Sequence, residues 1–177
     1  DAQVSVFAAK KTPARAKPVK RVAAKRGSKA FVPQMTVAII DSGLAPGADL
    51  PESHVTYYKD FVAGGTKAVD TCGHGTHVAG VIAGNGASSG GKYEGVDPNV
   101  GLVVLRVLGN DCSGNSSDVI DALTWVAKNH LTYKIKVVNL SLGHPVFESI
   151  VTDPMVAAVE TLSRLGIVVV TAAGNMG

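Results

Sequence analysis

Four stretches of the chain run largely apolar and stop abruptly at small or polar residues. Residues 36–40, Thr-Val-Ala-Ile-Ile, are halted by Asp41-Ser42-Gly43; residues 101–108, 137–142 and 166–171 repeat the plan. Side chains alternate between the two faces of a strand, so an unbroken apolar run predicts a strand covered on both sides. That is the pattern of a parallel sheet. Between these runs the apolar period lengthens to that of a helix. Residues 75–84 form a helix of mostly small residues. Residues 116–129 open on Ser-Ser-Asp cap chemistry and place Val119, Ala122, Leu123 and Val126 on one face. Residues 153–164 begin Asp-Pro, a cap followed by a proline at the first helical position, and end before Gly166.

Strands alternating with helices predict an α/β fold: a doubly wound, mainly parallel sheet with helices on both faces and right-handed crossovers. Sheets of this kind bind ligands beyond the carboxyl ends of their strands. Three polar strand ends are predicted there: Asp41, then Ser141-Leu142-Gly143, then Ala172-Ala173-Gly174-Asn175.

Composition changes the picture at the front of the chain. Hydrophobic residues make up 46% and charged residues 18% of the 177 residues, enough to bury a core. Nine of the 17 Lys and Arg fall within residues 1–29 beside one acid, Asp1, and the rest of the chain is acidic. Residues 1–29 therefore read as a basic extension, linker or propeptide remnant, with polyanion contact as its functional alternative. Residues 30–177 read as the folded unit. No apolar run reaches the eighteen residues of a membrane helix.

The candidate chemistry lies at the strand ends. Asp41 leaves an apolar strand into a Ser-Gly turn, where a carboxylate needs a partner and an imidazole would serve. His74 stands in Gly73-His74-Gly75-Thr76-His77-Val78-Ala79-Gly80, at the start of a helix whose small residues allow close packing. Taken alone, His74 reads equally as a buried structural histidine, and Cys72, His74, His77 and Cys112 as a metal set with unfavourable spacing. Asn175 follows small residues at a strand end and could donate to an oxygen gaining charge.

Asp41, His74 and Asn175, in that order on successive strand ends, resemble the subtilisin-like serine protease (subtilase) family. The resemblance extends through Gly95-Val96-Asp97-Pro98 and Val138-Asn139-Leu140-Ser141-Leu142-Gly143, from about residue 35 to 177. It implies an N-terminal portion of a secreted serine endopeptidase domain acting on peptides or proteins. By resemblance Asp41 orients His74, His74 is the general base, and Asn175 lies in the oxyanion hole. Ser141, Leu142 and Gly143 pair with substrate backbone, and Ala172, Ala173 and Gly174 wall a side-chain pocket. His77 is structural, and Cys72 bridges Cys112. The family's Gly-Thr-Ser-Met-Ala type motif has no match here. The resemblance therefore places the nucleophile outside this chain, on a C-terminal portion or companion chain, and implies that this segment alone is inactive. The alternative is a non-catalytic relative that binds extended peptides or partners. No cofactor is implied for the chemistry. Structural calcium is common in the family, but the loop 85–92 presents no clear ligand set.

Overall fold

The computed structural model describes residues 2–5, 31–143, 145 and 148–174. Along the chain these form strand β1 (Gln3–Ser5), β2 (Thr36–Asp41), β3 (Val55–Asp60), helix α1 (His74–Ala83), β4 (Gly101–Arg106), β5 (Ser113–Asn115), α2 (Ser116–Asn129), β6 (Ile135–Leu140), α3 (Pro154–Arg164) and β7 (Val168–Thr171). Five strands make one parallel sheet in the order β3-β4-β2-β6-β7, and β1 pairs with β5 in a separate antiparallel ribbon. The expected α/β architecture is present.

The central apolar strands β2 and β4 are buried on both faces, as expected, whereas β7, expected to be covered in the same way, lies at the sheet edge with Val168, Val170 and Thr171 exposed. All six residues of β2 and of β4 are buried. Alternation along β2 splits the core in two. Ala38 and Ile40 belong to the cluster formed with Leu123 and Val126 of α2 and Leu162 of α3. Val37 and Ile39 belong to the opposite cluster with Ala79 and Ala83 of α1. At the sheet edge, Tyr57 of β3 stacks on Trp125 of α2 with ring centroids 4.6 Å apart.

Three local differences from the sequence reading have physical causes. Strand β4 ends at Arg106 rather than 108, because the N–H groups of Val107 and Leu108 turn to donate to the Asp41 carbonyl at 2.8 and 3.3 Å. Helix α3 takes the expected cap, Asp153 Oδ1 accepting from Met155 and Val156 N–H. Helix α2 does not: its N-cap is Asn115, whose side chain makes no capping bond, and Ser116 Oγ donates to Ala2 O at 2.7 Å. Gln3–Ser5, read as part of the basic leader, thus forms a strand on the folded unit.

Candidate active site

Asp41 ends the central strand and is fully buried. Its Oδ1 accepts the Ser42 N–H at 2.7 Å, and Oδ1 and Oδ2 lie 2.9 and 3.0 Å from Nδ1 of His74. A carboxylate can only accept, so Nδ1 carries the proton and Nε2 keeps its lone pair. His74 opens α1 with its side chain 23% exposed, against none for Asp41. Its imidazole titrates above the ordinary range. The hydrogen bond to Asp41 is the main cause, burial opposes it, and the charges of Asp41 and Asp70 add to it.

Two glycines let the strand end and the helix start approach. Gly43 has φ +117°, and a Cβ there would lie 2.0 Å from Val69 O. A Cβ on Gly75 would lie 2.3 Å from Gly43 O. These contacts explain why Asp-Ser-Gly and Gly-His-Gly flank the pair. Gly75→Ala is expected to force the helix off the turn, destabilising the protein by more than about 2 kcal/mol. Urea unfolding measures it, and an unchanged midpoint would contradict the packing argument.

Asp70, which the sequence reading missed, holds this junction together. Helix α1 has Gly73 as N-cap, with no side chain to satisfy its first N–H groups. Asp70 supplies the acceptor from upstream: Oδ1 takes the Gly73 N–H at 2.8 Å and the Ser42 hydroxyl at 2.9 Å, and Oδ2 takes the N–H and hydroxyl of Thr76 at 2.8 and 2.6 Å. Burial pushes its carboxyl up, but the bonds from Thr76, Gly73 and Ser42 outweigh burial and hold it below the ordinary range. Ser42 Oγ in turn accepts the Gly75 N–H at 2.9 Å. The available signal was the spacing Asp-x-x-Gly-x-x-Thr, a carboxylate three residues ahead of a cap that has no side chain.

Cys72 and Cys112 are joined, with Cα atoms 5.4 Å apart. The expected bridge is therefore present, and the two thiolates of the metal alternative are taken. His77 lies exposed on α1. Among the described residues no cluster of three or more His, Cys, Asp or Glu is placed to hold a metal ion. In the loop 85–92, Asn85 Oδ1 accepts the Ala87 N–H, and Asp49 Oδ1 accepts the Ser88 N–H.

The other sequence candidates stand on neighbouring strand ends. Ser141-Leu142-Gly143 follows β6, with Leu142 buried and Ser141 Oγ accepting from Asn139 Nδ2 at 2.8 Å. Ala172 follows β7 and donates its N–H to Leu140 O at 3.1 Å; Ala173 and Gly174 are exposed, and Gly174 has φ +90°. Asn175 lies outside the described residues.

Comparison with known proteins accounts for this arrangement. Residues 33–177 match the model of the subtilase family. Serine protease AprX of Bacillus subtilis is 38% identical over 148 residues, 81% of this chain and 33% of the relative. Subtilisin DY of Bacillus licheniformis is 38% identical over 141 residues, 80% of this chain and 47% of the relative. Among solved structures, a cold-adapted subtilisin-like serine proteinase superposes with a TM-score of 0.66 at 32% identity, covering 87% of this chain and 52% of the other. The chain thus spans a third to a half of the length of these curated relatives. Matched by the family model from residue 33 to residue 177 and by relatives across four fifths of its length, the chain belongs to the subtilase family.

Proposed function

We propose that this chain is the Asp- and His-bearing portion of a serine endopeptidase, completed by a nucleophilic serine that lies outside it. The observation that carries the reading is the buried Asp41 carboxylate within 2.9 and 3.0 Å of His74 Nδ1. Asp41 fixes the tautomer, so Nε2 faces outward as a base. In the reaction His74 takes the serine proton as the oxygen attacks the peptide carbonyl, then returns it to the leaving amine. Asp41 stabilises the imidazolium between the two steps. Both effects need the aspartate buried and the imidazole reachable, which is how the two differ in exposure.

Asn175 donates to the tetrahedral oxyanion. Gly143, with its neighbours Ser141 and Leu142, pairs with an extended peptide, and Ala172, Ala173 and Gly174 form a pocket wall. The substrate is a peptide or protein, the enzyme works outside the cell, and the basic leader offers a polyanion contact. No described helix is long and apolar enough to cross a membrane.

The test is to produce residues 1–177 together with a Ser-bearing C-terminal portion and treat the assembly with a fluorophosphonate probe. Labelling of that serine, with hydrolysis of a peptide substrate, is the expected result. The chain alone is expected neither to label nor to cut. A folded assembly that does neither overturns the reading.

A further inference from the structure

The sheet edge formed by β3 carries a small cavity on the face opposite α1 and its His74. Helix α2 packs on that face, with α1 on the other. Between β3 and α2 opens a cavity of about 270 Å³, lined by Lys59, Phe61, Asp121, Thr124, Trp125 and Lys128. That volume is at the small end of small-ligand sites. Asp121, Thr124, Trp125 and Lys128 follow the spacing i, i+3, i+4, i+7 along α2, which puts them on one helix face. The core is held instead by Val119, Ala122, Leu123 and Val126.

Trp125 gives the cavity a flat apolar wall. Its ring centroid lies 4.6 Å from that of Tyr57 and 5.4 Å from that of Tyr133, and the two tyrosine rings lie 4.8 Å apart. Rings stacked on opposite faces of a third would stand about 9 Å apart or more. Both tyrosines therefore sit on one side of the indole, and no ring covers the other. Lys59 Nζ is held 4.3 Å from the centre of the Phe61 ring. Among the described residues no hydrogen bond or ion pair engages the side chain of Lys59, Asp121 or Lys128. Asp121 and Lys128 are separated by about 10 Å of helix rise, too far to neutralise each other directly.

Two ammonium groups attract an anion, yet a carboxylate stands among them. A phosphate or sulfate would be repelled by Asp121 and would find no free backbone N–H, since amides in the middle of a helix are bonded within it. A carboxylated sugar uses every group. The carbon face of its ring packs on the open side of the indole, and its carboxylate meets the lysines. Its hydroxyls donate to Asp121 and bond with Thr124. We propose that this cavity binds a hexuronate unit, the carboxylated sugar of acidic polysaccharides, as a tethering site separate from peptide hydrolysis.

Trp125 is the chain's only tryptophan, so its emission reads this cavity alone. Galacturonate is titrated into the 177-residue chain, with galactose, acetate and a triglutamate peptide run beside it. Galacturonate is expected to change the emission saturably with a Kd of about 1 mM, and each of the other three to bind at least about tenfold more weakly. Lys59→Gln combined with Lys128→Gln is expected to weaken galacturonate about tenfold or more, with circular dichroism showing that the variant is folded. Asp121→Asn is expected to weaken galacturonate while strengthening acetate. The four ligands on the parent chain need no variant, so a misfolded variant leaves the test intact. Emission unmoved by galacturonate, or a folded double variant that binds as well as the parent, overturns the site. Acetate or triglutamate binding as tightly as galacturonate, galactose doing so, or galacturonate tightened by Asp121→Asn overturns the hexuronate assignment.

Discussion

Replacing Asp41 by Asn is expected to lower kcat of the assembled protease by about four powers of ten while leaving KM nearly unchanged. The amide keeps the shape of the side chain but turns one acceptor into a donor. The imidazole can then satisfy it only by presenting Nδ1 unprotonated, which moves the proton to Nε2 and removes the base from the reacting side. Loss of this relation in a Ser-His-Asp triad has an effect of about that size. The same variant shifts a second quantity that needs no turnover. His74 now titrates above the ordinary range, chiefly through its hydrogen bond to Asp41, against burial, with help from the Asp41 and Asp70 charges. In the variant burial is left opposed only by Asp70, and the His74 pKa falls.

The sign of the pH dependence follows. A raised histidine pKa stabilises the fold fully below the unfolded value of about 6.5, and that contribution is lost as pH rises through the folded pKa. Hydrolysis runs the opposite way, because only the neutral ring is a base, so activity rises through the same folded pKa. An NMR titration of the His74 ring measures the shift, and stopped assays of the assembled enzyme measure kcat. A His74 pKa unmoved in the variant would sink the assigned pairing, whatever happened to activity.

How far these features could be read in advance depended on whether the signal was local. Strands β2 and β4 were legible because burial on both faces leaves an apolar run that nothing else explains; β6 and β7 were legible by the same apolar run, although β6 is only partly buried and β7, at the sheet edge, is largely exposed. Asp41 and His74 were legible because each abuts such a run or a small-residue helix. Strand β3, Val-Thr-Tyr-Tyr-Lys-Asp, was not: it lies at the sheet edge, and its polar residues are tolerated there. Strands β1 and β5 were invisible for another reason. Ser113-Gly114-Asn115 has no strand propensity, and Gly114 is there because a Cβ would come within 2.1 Å of Val107 O. Its pairing with residues more than a hundred positions away is purely tertiary. Asp70 and Arg106 carry single charges whose partners come from other elements, so composition alone gave no reason to prefer them over any surface charge.

Arg106 leads to the second large effect. It is buried at the end of β4, with Nη1 donating to Asp60 Oδ2 at 2.6 Å and Nη2 to Asn110 Oδ1 at 3.1 Å, while Nε finds no acceptor among the described residues. Asp60 Oδ1 also accepts the N–H groups of Val62 and Ala63 at 2.9 and 3.0 Å. Asp60→Ala leaves a buried guanidinium half satisfied and is expected to destabilise the protein by about 3–5 kcal/mol. The double replacement Asp60→Leu with Arg106→Met removes both charges and is expected to recover most of that loss, since apolar residues of similar size replace buried ion pairs with little penalty. Urea midpoints of the two single variants and the double variant decide it. A double variant as unstable as the singles would mean that the pair holds the fold through its geometry rather than merely cancelling charge. Activity separates the two roles further. Asn110 Oδ1 also accepts the hydroxyl of Thr71, whose neighbour Cys72 is bridged to Cys112. Arg106 is thus the inner anchor of the segment that carries His74. The stable double variant is expected to lose at least tenfold in kcat/KM in the assembled enzyme, because the segment before α1 has lost its tie to the sheet. Full activity in a fully stable double variant would confine Arg106 to charge balance and leave Asp70 and the disulfide as the anchors of His74.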